Sequence, residues 1–341
     1  MGFEKGKREY VVGVVGATGM VGRKVLQILE EREFPAGELR LFASERSAGK
    51  TVAFGEREVE VILLDERRFE GCDLVFFCAG GAISTKYVPM AARAGAVAID
   101  KSSVFRMQED VPLVVPEVNG EDLAAMAKNI VASPNCSTIP LVMILKPLLG
   151  HAALRRVIVS TYQSVSGAGM GGVEEMMEQT RAQLAGEELP EPAVFPRKIA
   201  FNLFPHIDAF GPDGYTKEER KLIDESRKIL HLPSLPVTCT AVRVPVTVSH
   251  CESVTLDFEK PLEPAAVREI LAAAPGVIVM DDPGKGVYPV PEDAKDGDEV
   301  LVGRIRGDGS QKGSINLWLV ADNIRKGAAT NAVQIAESIC Q

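Results

Sequence analysis

A glycine ladder at the end of an apolar run constrains this chain most. Residues 10–16 read Tyr10-Val11-Val12-Gly13-Val14-Val15-Gly16, followed by Ala17-Thr18-Gly19-Met20-Val21-Gly22. The run is short and rich in valine, which predicts a strand buried on both faces. Val21, Val25, Leu26, Ile28 and Leu29 then recur with helical spacing. A strand, a glycine turn and a helix in that order form the context of a dinucleotide loop. Its glycines let the backbone approach a pyrophosphate seated on the helix N-terminus. A glycine turn that merely packs a helix on a strand can have the same spacing. The flanking strand and helix favour nucleotide binding, with Gly16, Thr18, Gly19, Met20 and Val21 as candidate contacts.

The same alternation continues. Leu39–Ala43, Asp73–Cys78, Gly95–Asp100 and Asn129–Ala132 read as strands, with a small-residue helix over Ala82–Ala94. Strands alternating with helices predict a parallel α/β sheet of Rossmann type. The pattern then changes. Arg155–Val165, Val237–Val248, Ser253–Phe258, Glu299–Ile305 and Ser314–Leu319 read as strands, several of them long and alternating, with helices over Met170–Leu184 and Thr216–Leu230. This predicts an α+β domain around a mixed sheet. A final helix over Asn323–Ile339 carries Ile324, Ala328, Ala332, Ile335 and Ile339 on one face and is expected to return to the first domain. The expected division is therefore 1–133 with 322–341, and 134–321. A chain of 341 residues is long enough for both.

The candidate for chemistry is Ser133-Pro134-Asn135-Cys136-Ser137-Thr138, which precedes an apolar helical run from Ile139 to Leu149. Pro134 and Asn135 suit a chain turning into a helix. Backbone N–H groups at a helix start favour thiolate over thiol, so Cys136 reads as an activated nucleophile. His250 is a candidate base for it. Cys251 competes for the role, but in an extended segment its side chain would point away from any site that His250 enters. His151, His206 and His231 have no comparable surroundings. The six cysteines form no CxxC pair and no metal-ligand cluster, which suggests reduced thiols in a cytoplasm. The net charge of −9 argues against nucleic acid or an anionic membrane surface as partner. No apolar run approaches a membrane span, and the polar N-terminus lacks a signal-peptide core.

The segment after the second strand reads Ser44-Glu45-Arg46-Ser47-Ala48-Gly49. Arg46 with Ser44 and Ser47 suits a ribose 2′-phosphate, and so NADP(H). Glu45 could instead accept from a 2′-hydroxyl, as in an NAD site.

Together these motifs resemble the bacterial aspartate-β-semialdehyde dehydrogenase family. The resemblance runs in order through Gly16–Gly22, Ser44–Gly49, Asp100-Lys-Ser-Ser-x-Phe-Arg106-Met, Ser133–Thr138, Thr161-Tyr-Gln163-Ser-Val-Ser-Gly167-Ala-Gly, Glu218-x-x-Lys221, Arg243-Val-Pro-Val-x-x-x-His250 and Asp322-Asn323-Ile-Arg-Lys-Gly327. Lys101 stands where many relatives carry asparagine. The resemblance implies NADPH-dependent reductive dephosphorylation of L-4-aspartyl phosphate to L-aspartate 4-semialdehyde, on the route to lysine, threonine, methionine and diaminopimelate. It implies Cys136 as the acyl-thioester nucleophile, His250 as its acid/base partner and Gln163 as a substrate-positioning group. Arg243 would clamp the substrate carboxylate and Glu218 its ammonium group. Arg106, Lys221 and Asn135 would hold the phosphoryl group or phosphate, with Ser166, Gly167 and Asn323 near the nicotinamide. It also implies that the second domain is a dimerisation domain, in a homodimer or a homotetramer. Another acyl-phosphate reductase, such as N-acetylglutamyl-phosphate reductase, is the alternative enzyme. Arg243 with Glu218 suits a free amino-acid head group, which that substrate lacks. A non-catalytic NADP-binding relative would have no need of Cys136, Gln163, Arg243 and His250 together.

Overall fold

The computed structural model describes residues 4–341. In the first half of the chain lie β1 (Tyr10–Val15), α1 (Met20–Glu31), β2 (Ala36–Ala43), β3 (Thr51–Phe54), β4 (Arg57–Leu63), β5 (Leu74–Phe77), α2 (Gly81–Arg93), β6 (Val97–Asp100), α3 (Pro116–Asn119) and β7 (Ile130–Ala132). Next come α4 (Thr138–Leu149), β8 (Leu154–Gln163), α5 (Met170–Ala185), α6 (Lys217–Ile229), β9 (Val237–Arg243) and β10 (His250–Phe258). The chain ends with α7 (Pro264–Ala272), β11 (Val277–Val279), α8 (Pro291–Ala294), β12 (Val300–Gly307), β13 (Ser314–Ala321) and α9 (Thr330–Cys340). It forms two compact units, Met1–Asn135 with Ala328–Gln341, and Cys136–Gly327. The boundaries expected at 133/134 and 321/322 thus lie at 135/136 and 327/328.

The first unit is a seven-stranded sheet in the order β3-β4-β2-β1-β5-β6-β7. All neighbours are parallel except the β3–β4 hairpin. The strand order reverses beside β1, and the carboxyl ends of strands at such a switch point are where an open α/β sheet binds ligands. Val12, Val14, Leu41, Leu74, Phe76 and Val97 are fully buried in one cluster with Val25, Ile28 and Leu29 of α1 and Val333, Ile335 and Ala336 of α9. The β3–β4 hairpin escaped the sequence reading. Its apolar residues only alternate, Val52 with Phe54 and Val59 with Val61, and each strand is half exposed, so it lacks the continuous apolar run that marks β1.

The second unit is a six-stranded mixed sheet, β11-β12-β13-β10-β8-β9. β10 runs antiparallel to both β8 and β13, while β8–β9 and β11–β12 are parallel. Two expected elements differ. The strand expected over Val237–Val248 stops at Arg243, because Pro245 has no N–H to continue a ladder and Ser249 turns the chain with a φ of 71°. The helix expected from Asn323 begins as an α-helix only at Thr330, after a π-turn over Arg325–Ala329. Asp322 fixes that turn by accepting from the N–H groups of Ile324 at 2.7 Å and Arg325 at 3.0 Å.

Among the described residues, no helix is long and apolar enough to cross a membrane.

Candidate active site

In the first unit, the expected cofactor residues line a cleft of about 590 Å³ that includes Gly16, Thr18, Gly19, Ser44, Arg46 and Ser47. That volume suits a small-molecule site. Met20 and Val21 form the first turn of α1 behind it. The loop tolerates no side chain at Gly22, where a Cβ would lie 2.2 Å from the Gly16 carbonyl oxygen. Gly19 precedes α1 without any side-chain cap, which leaves the N–H groups of the first turn for a ligand. Thr18 Oγ1 lies 3.4 Å from Ser47 Oγ and ties the loop to the segment after β2. Arg46 and Glu45 are both exposed at the cleft. These residues fit a dinucleotide, and the two exposed side chains are where a ribose would be read.

Arg106 and Asn135 also lie in this unit, and both are buried. Arg106 donates to the carbonyls of Ser133 at 3.0 Å and Lys101 at 2.8 Å. It therefore braces the segment that leads to Cys136.

The second unit brings the remaining expected residues together. Cys136 precedes Ser137, the N-cap of α4. Asn135 is not the cap its sequence position suggested. The Ser137 side chain makes no cap bond either, but accepts from Gln163 Nε2 at 3.0 Å. The same Nε2 donates to Glu218 Oε1 at 3.0 Å. Glu218 is held from the other side by Lys221 at 3.0 Å, which also pairs with Asp208 at 3.0 Å. Burial works against the Lys221 charge, but Glu218 and Asp208 outweigh it and hold its pKa above the usual value. α6 is fixed by a Thr216–Glu219 capping box, and Glu219 accepts from the Ala241 N–H of β9 at 2.9 Å.

Arg243 ends β9 and His250 begins β10, so the turn between the strands brings both to one end of the sheet. Arg243 Nη1 donates to the Ser164 carbonyl at 2.5 Å, and its guanidinium lies 5.7 Å from the Phe195 ring centre. Burial pulls the Arg243 pKa down, while Glu218 and Cys136 act in the opposite sense. The His250 pKa is pushed down to about 3, chiefly by burial and then by the Arg243 charge. Gly167 packs between them. A Cβ there would lie 3.0 Å from Arg243 Nη1 and 3.4 Å from His250 Nε2. Asn323 and Ser166 bond each other, with Nδ2 to Oγ at 3.0 Å.

Cys251 packs on the opposite face, against Ala294, Leu301, Val320, Tyr162 and Trp318, and burial pushes its thiol up to about 12. It is an inert core thiol. Sequence reasoning missed Ser137, Ser164 and Gly327. At Gly327 a Cβ would lie 3.1 Å from that of Cys136. All three stand inside the quoted motifs, but only the folded chain reveals what they touch.

Two family models cover most of the chain: "Semialdehyde dehydrogenase, NAD binding domain" over residues 11–126, and "Semialdehyde dehydrogenase, dimerisation domain" over 145–326. The aspartate-semialdehyde dehydrogenase of Aquifex aeolicus is 53% identical over 330 residues, which are 96% of this chain and 97% of that one. The chain belongs to the aspartate-semialdehyde dehydrogenase family. Among solved structures, aspartate-semialdehyde dehydrogenase II of Vibrio cholerae complexed with ASA superposes with a TM-score of 0.95 at 46% identity, covering 98% of each chain. The Candida albicans enzyme with NADP gives a TM-score of 0.75 at 25% identity, covering 97% of this chain and 98% of that one.

Glu252 follows His250 on the same face of β10 and is fully buried, with no hydrogen-bond partner for either carboxylate oxygen. Burial raises its pKa well above the usual carboxylate value. The folded chain therefore keeps this proton to a higher pH than the unfolded chain does. The associated stability is complete below the unfolded pKa of about 4.5 and is lost as pH rises from there toward the folded value. A glutamine side chain cannot ionise, so Glu252→Gln should flatten the fall in Tm as pH rises above the unfolded carboxyl value. Parallel Tm–pH curves for the two proteins would contradict a protonated Glu252.

Proposed function

We propose that this enzyme reduces L-4-aspartyl phosphate to L-aspartate 4-semialdehyde with NADPH, releasing phosphate, as a step in amino-acid biosynthesis. The observation that carries this reading is the cluster in the second unit. A cysteine at the start of a helix shares its surroundings with a buried arginine and a glutamine–glutamate pair. Cys136 attacks the acyl phosphate and holds the aspartyl group as a thioester, dividing a hard reduction into two easier steps. Arg243 receives the α-carboxylate in a bidentate pair, and Glu218 receives the α-ammonium. Gln163, held by Ser137 and Glu218, orients the acyl group beside the thiol. Lys221, Arg106 and Asn135 bind the phosphoryl group. Ser166, Gly167 and Asn323 border the place where the nicotinamide must lie. When bound at the Gly16 loop, the coenzyme supplies a hydride equivalent.

The NADP preference rests on Arg46, Ser44 and Ser47 in the first-unit cleft and draws support from the Candida relative solved with NADP. The homodimer draws support from the dimerisation-domain match over 145–326.

The assay supplies aspartate semialdehyde, phosphate and either NADP⁺ or NAD⁺, and follows the reduced coenzyme by absorbance. Phosphate-dependent reduction with NADP⁺ preferred is expected, and its absence would overturn the reading. Arg46→Ala should weaken NADPH binding by about 1.5–3 kcal/mol, the range for a hydrogen bond to a charged group, and leave NADH binding nearly unchanged. Equal weakening of both by titration calorimetry would remove Arg46 from the phosphate site and favour Glu45 as a ribose partner.

A further inference from the structure

Two buried polar side chains lie one row below the site, on the same face of the mixed sheet. Residues two apart on a strand share a face, so Glu252 follows His250 on β10 and Thr161 precedes Gln163 on β8. The register sets Glu252 opposite Thr161, with Leu319 of β13 and Ala241 of β9 to either side. Directly opposite residues of an antiparallel pair have Cβ atoms about 4.5–5.5 Å apart. Thr161 and Gln163 are about 6.5 Å apart along the strand. The row on the far side holds Leu317, Val254, Val159 and Cys239.

Glu252, Thr161 and Gln163 are all buried. Neither carboxyl oxygen of Glu252 has a hydrogen-bond partner, and nor does Thr161 Oγ1 or Gln163 Oε1. The overlying helix offers none. α4 packs against β13 and α6, and from Ile139 to Leu145 its residues are apolar and buried. Gln163 cannot resolve the shortage by turning its amide over. Nε2 donates to Ser137 Oγ and to Glu218 Oε1, and a carboxylate paired with Lys221 can only accept. Oε1 therefore needs a donor. Four neighbouring polar atoms without partners are rare in a folded core, and they are what an internal water requires, since such a water bonds two to four polar groups.

We infer that Glu252 and Thr161 hold a buried water molecule beneath the site, and that this water donates to Gln163 Oε1 and fixes the carboxamide. The inference deepens the reading above and rests on Gln163 as the group that orients the acyl group. One arrangement satisfies every atom. The Glu252 carboxyl donates its proton to Thr161 Oγ1, and the Thr161 hydroxyl donates to the water. The water donates one proton to Gln163 Oε1 and the other to the second oxygen of Glu252. An ionised Glu252 would leave the water without a donor. The surroundings favour the neutral form. Glu218 and Glu219 of α6 act together with Glu252 on the Cys239 thiol of β9, so a charge on Glu252 would add to an acidic region. The cations on that side are bonded elsewhere, Arg243 to the Ser164 carbonyl and Lys221 to Glu218 and Asp208. Glu252 and Thr161 are positioning residues in this scheme, acting on the substrate only through Gln163.

A high-resolution crystal structure of the substrate-free enzyme tests the water directly. One water is expected within about 3 Å of Glu252, Thr161 Oγ1 and Gln163 Oε1, and it should be lost in Thr161→Val. A dry site in the wild type, with Gln163 Oε1 bonded elsewhere, would overturn the inference. Kinetics test the positioning. Thr161→Val and Glu252→Met should each lower kcat for aspartate semialdehyde by roughly five- to tenfold, the loss expected for one hydrogen bond, with KM within about twofold of wild type. Thr161→Ser and Glu252→Gln, which keep a donor and an acceptor at the same place, should restore kcat. In a Gln163→Met background, Thr161→Val should cause no further loss. Equal losses in both backgrounds, or failure of both conservative variants to restore kcat, would show a structural role alone and overturn the positioning claim. The crystal structure uses no substrate, so it fails separately from the assay of the proposed reaction.

Discussion

Cys136→Ala is expected to abolish turnover in both directions while leaving NADPH affinity within about twofold of wild type, since the dinucleotide loop belongs to the other unit. No neighbouring group can replace a nucleophile that forms the covalent intermediate. Cys251→Ala serves as the control. Its sulfur packs among Ala294, Leu301, Val320, Tyr162 and Trp318, so the substitution removes some core contact and should lower Tm modestly while most activity is retained. Activity lost in Cys251→Ala and retained in Cys136→Ala would reverse the assignment of the nucleophile.

Arg243→Lys should lower kcat/KM for aspartate semialdehyde by at least about tenfold, equivalent to about 1.4 kcal/mol. Lysine keeps the charge but loses two features of the site. Its single ammonium cannot bridge both oxygens of a carboxylate, and it cannot also reproduce the 2.5 Å bond to the Ser164 carbonyl. The Phe195 ring, 5.7 Å from the guanidinium, favours a planar cation over a compact ammonium. Cys136 in this variant should still react with iodoacetamide at a near-normal rate. Unimpaired turnover by Arg243→Lys would remove the carboxylate clamp, and with it the best residue-level argument for an amino-acid substrate.

Much of this was legible in the sequence because the signals are local. β1, the glycine loop and α1 lie within residues 10–31, and a strand buried on both faces next to an amphipathic helix announces itself by composition alone. The alternating strands after residue 150 pointed to the mixed sheet for the same reason. Most of what failed depended on long-range contacts. Pro245 is a local signal for the end of β9 that the strand pattern around it masked, whereas the turn at Ser249, which brings Arg243 and His250 to one end of the sheet, leaves no mark in the periodicity. The π-turn at Arg325–Ala329 lies in a segment whose apolar spacing suits an ordinary α-helix, and the close approach of Gly327 to Cys136 is invisible without the fold. At the site, the motifs named which residues matter and left open how they are connected. Gln163 between Ser137 and Glu218, and Ser164 between His250 and Arg243, are bonds between residues 26 to 86 positions apart.

The central claim is a covalent aspartyl group on Cys136, and mass spectrometry of the enzyme tests it most directly. Enzyme is mixed with aspartate semialdehyde and NADP⁺ in phosphate-free buffer, quenched in acid and digested. Oxidation of the bound aldehyde then leaves the thioester with no phosphate to release it. The account predicts an aspartyl adduct on the peptide that carries Cys136, removed when phosphate is added before the quench and absent from Cys136→Ala. Phosphate-dependent reduction of NADP⁺ with no adduct on that peptide, or with the adduct on Cys251, would contradict it.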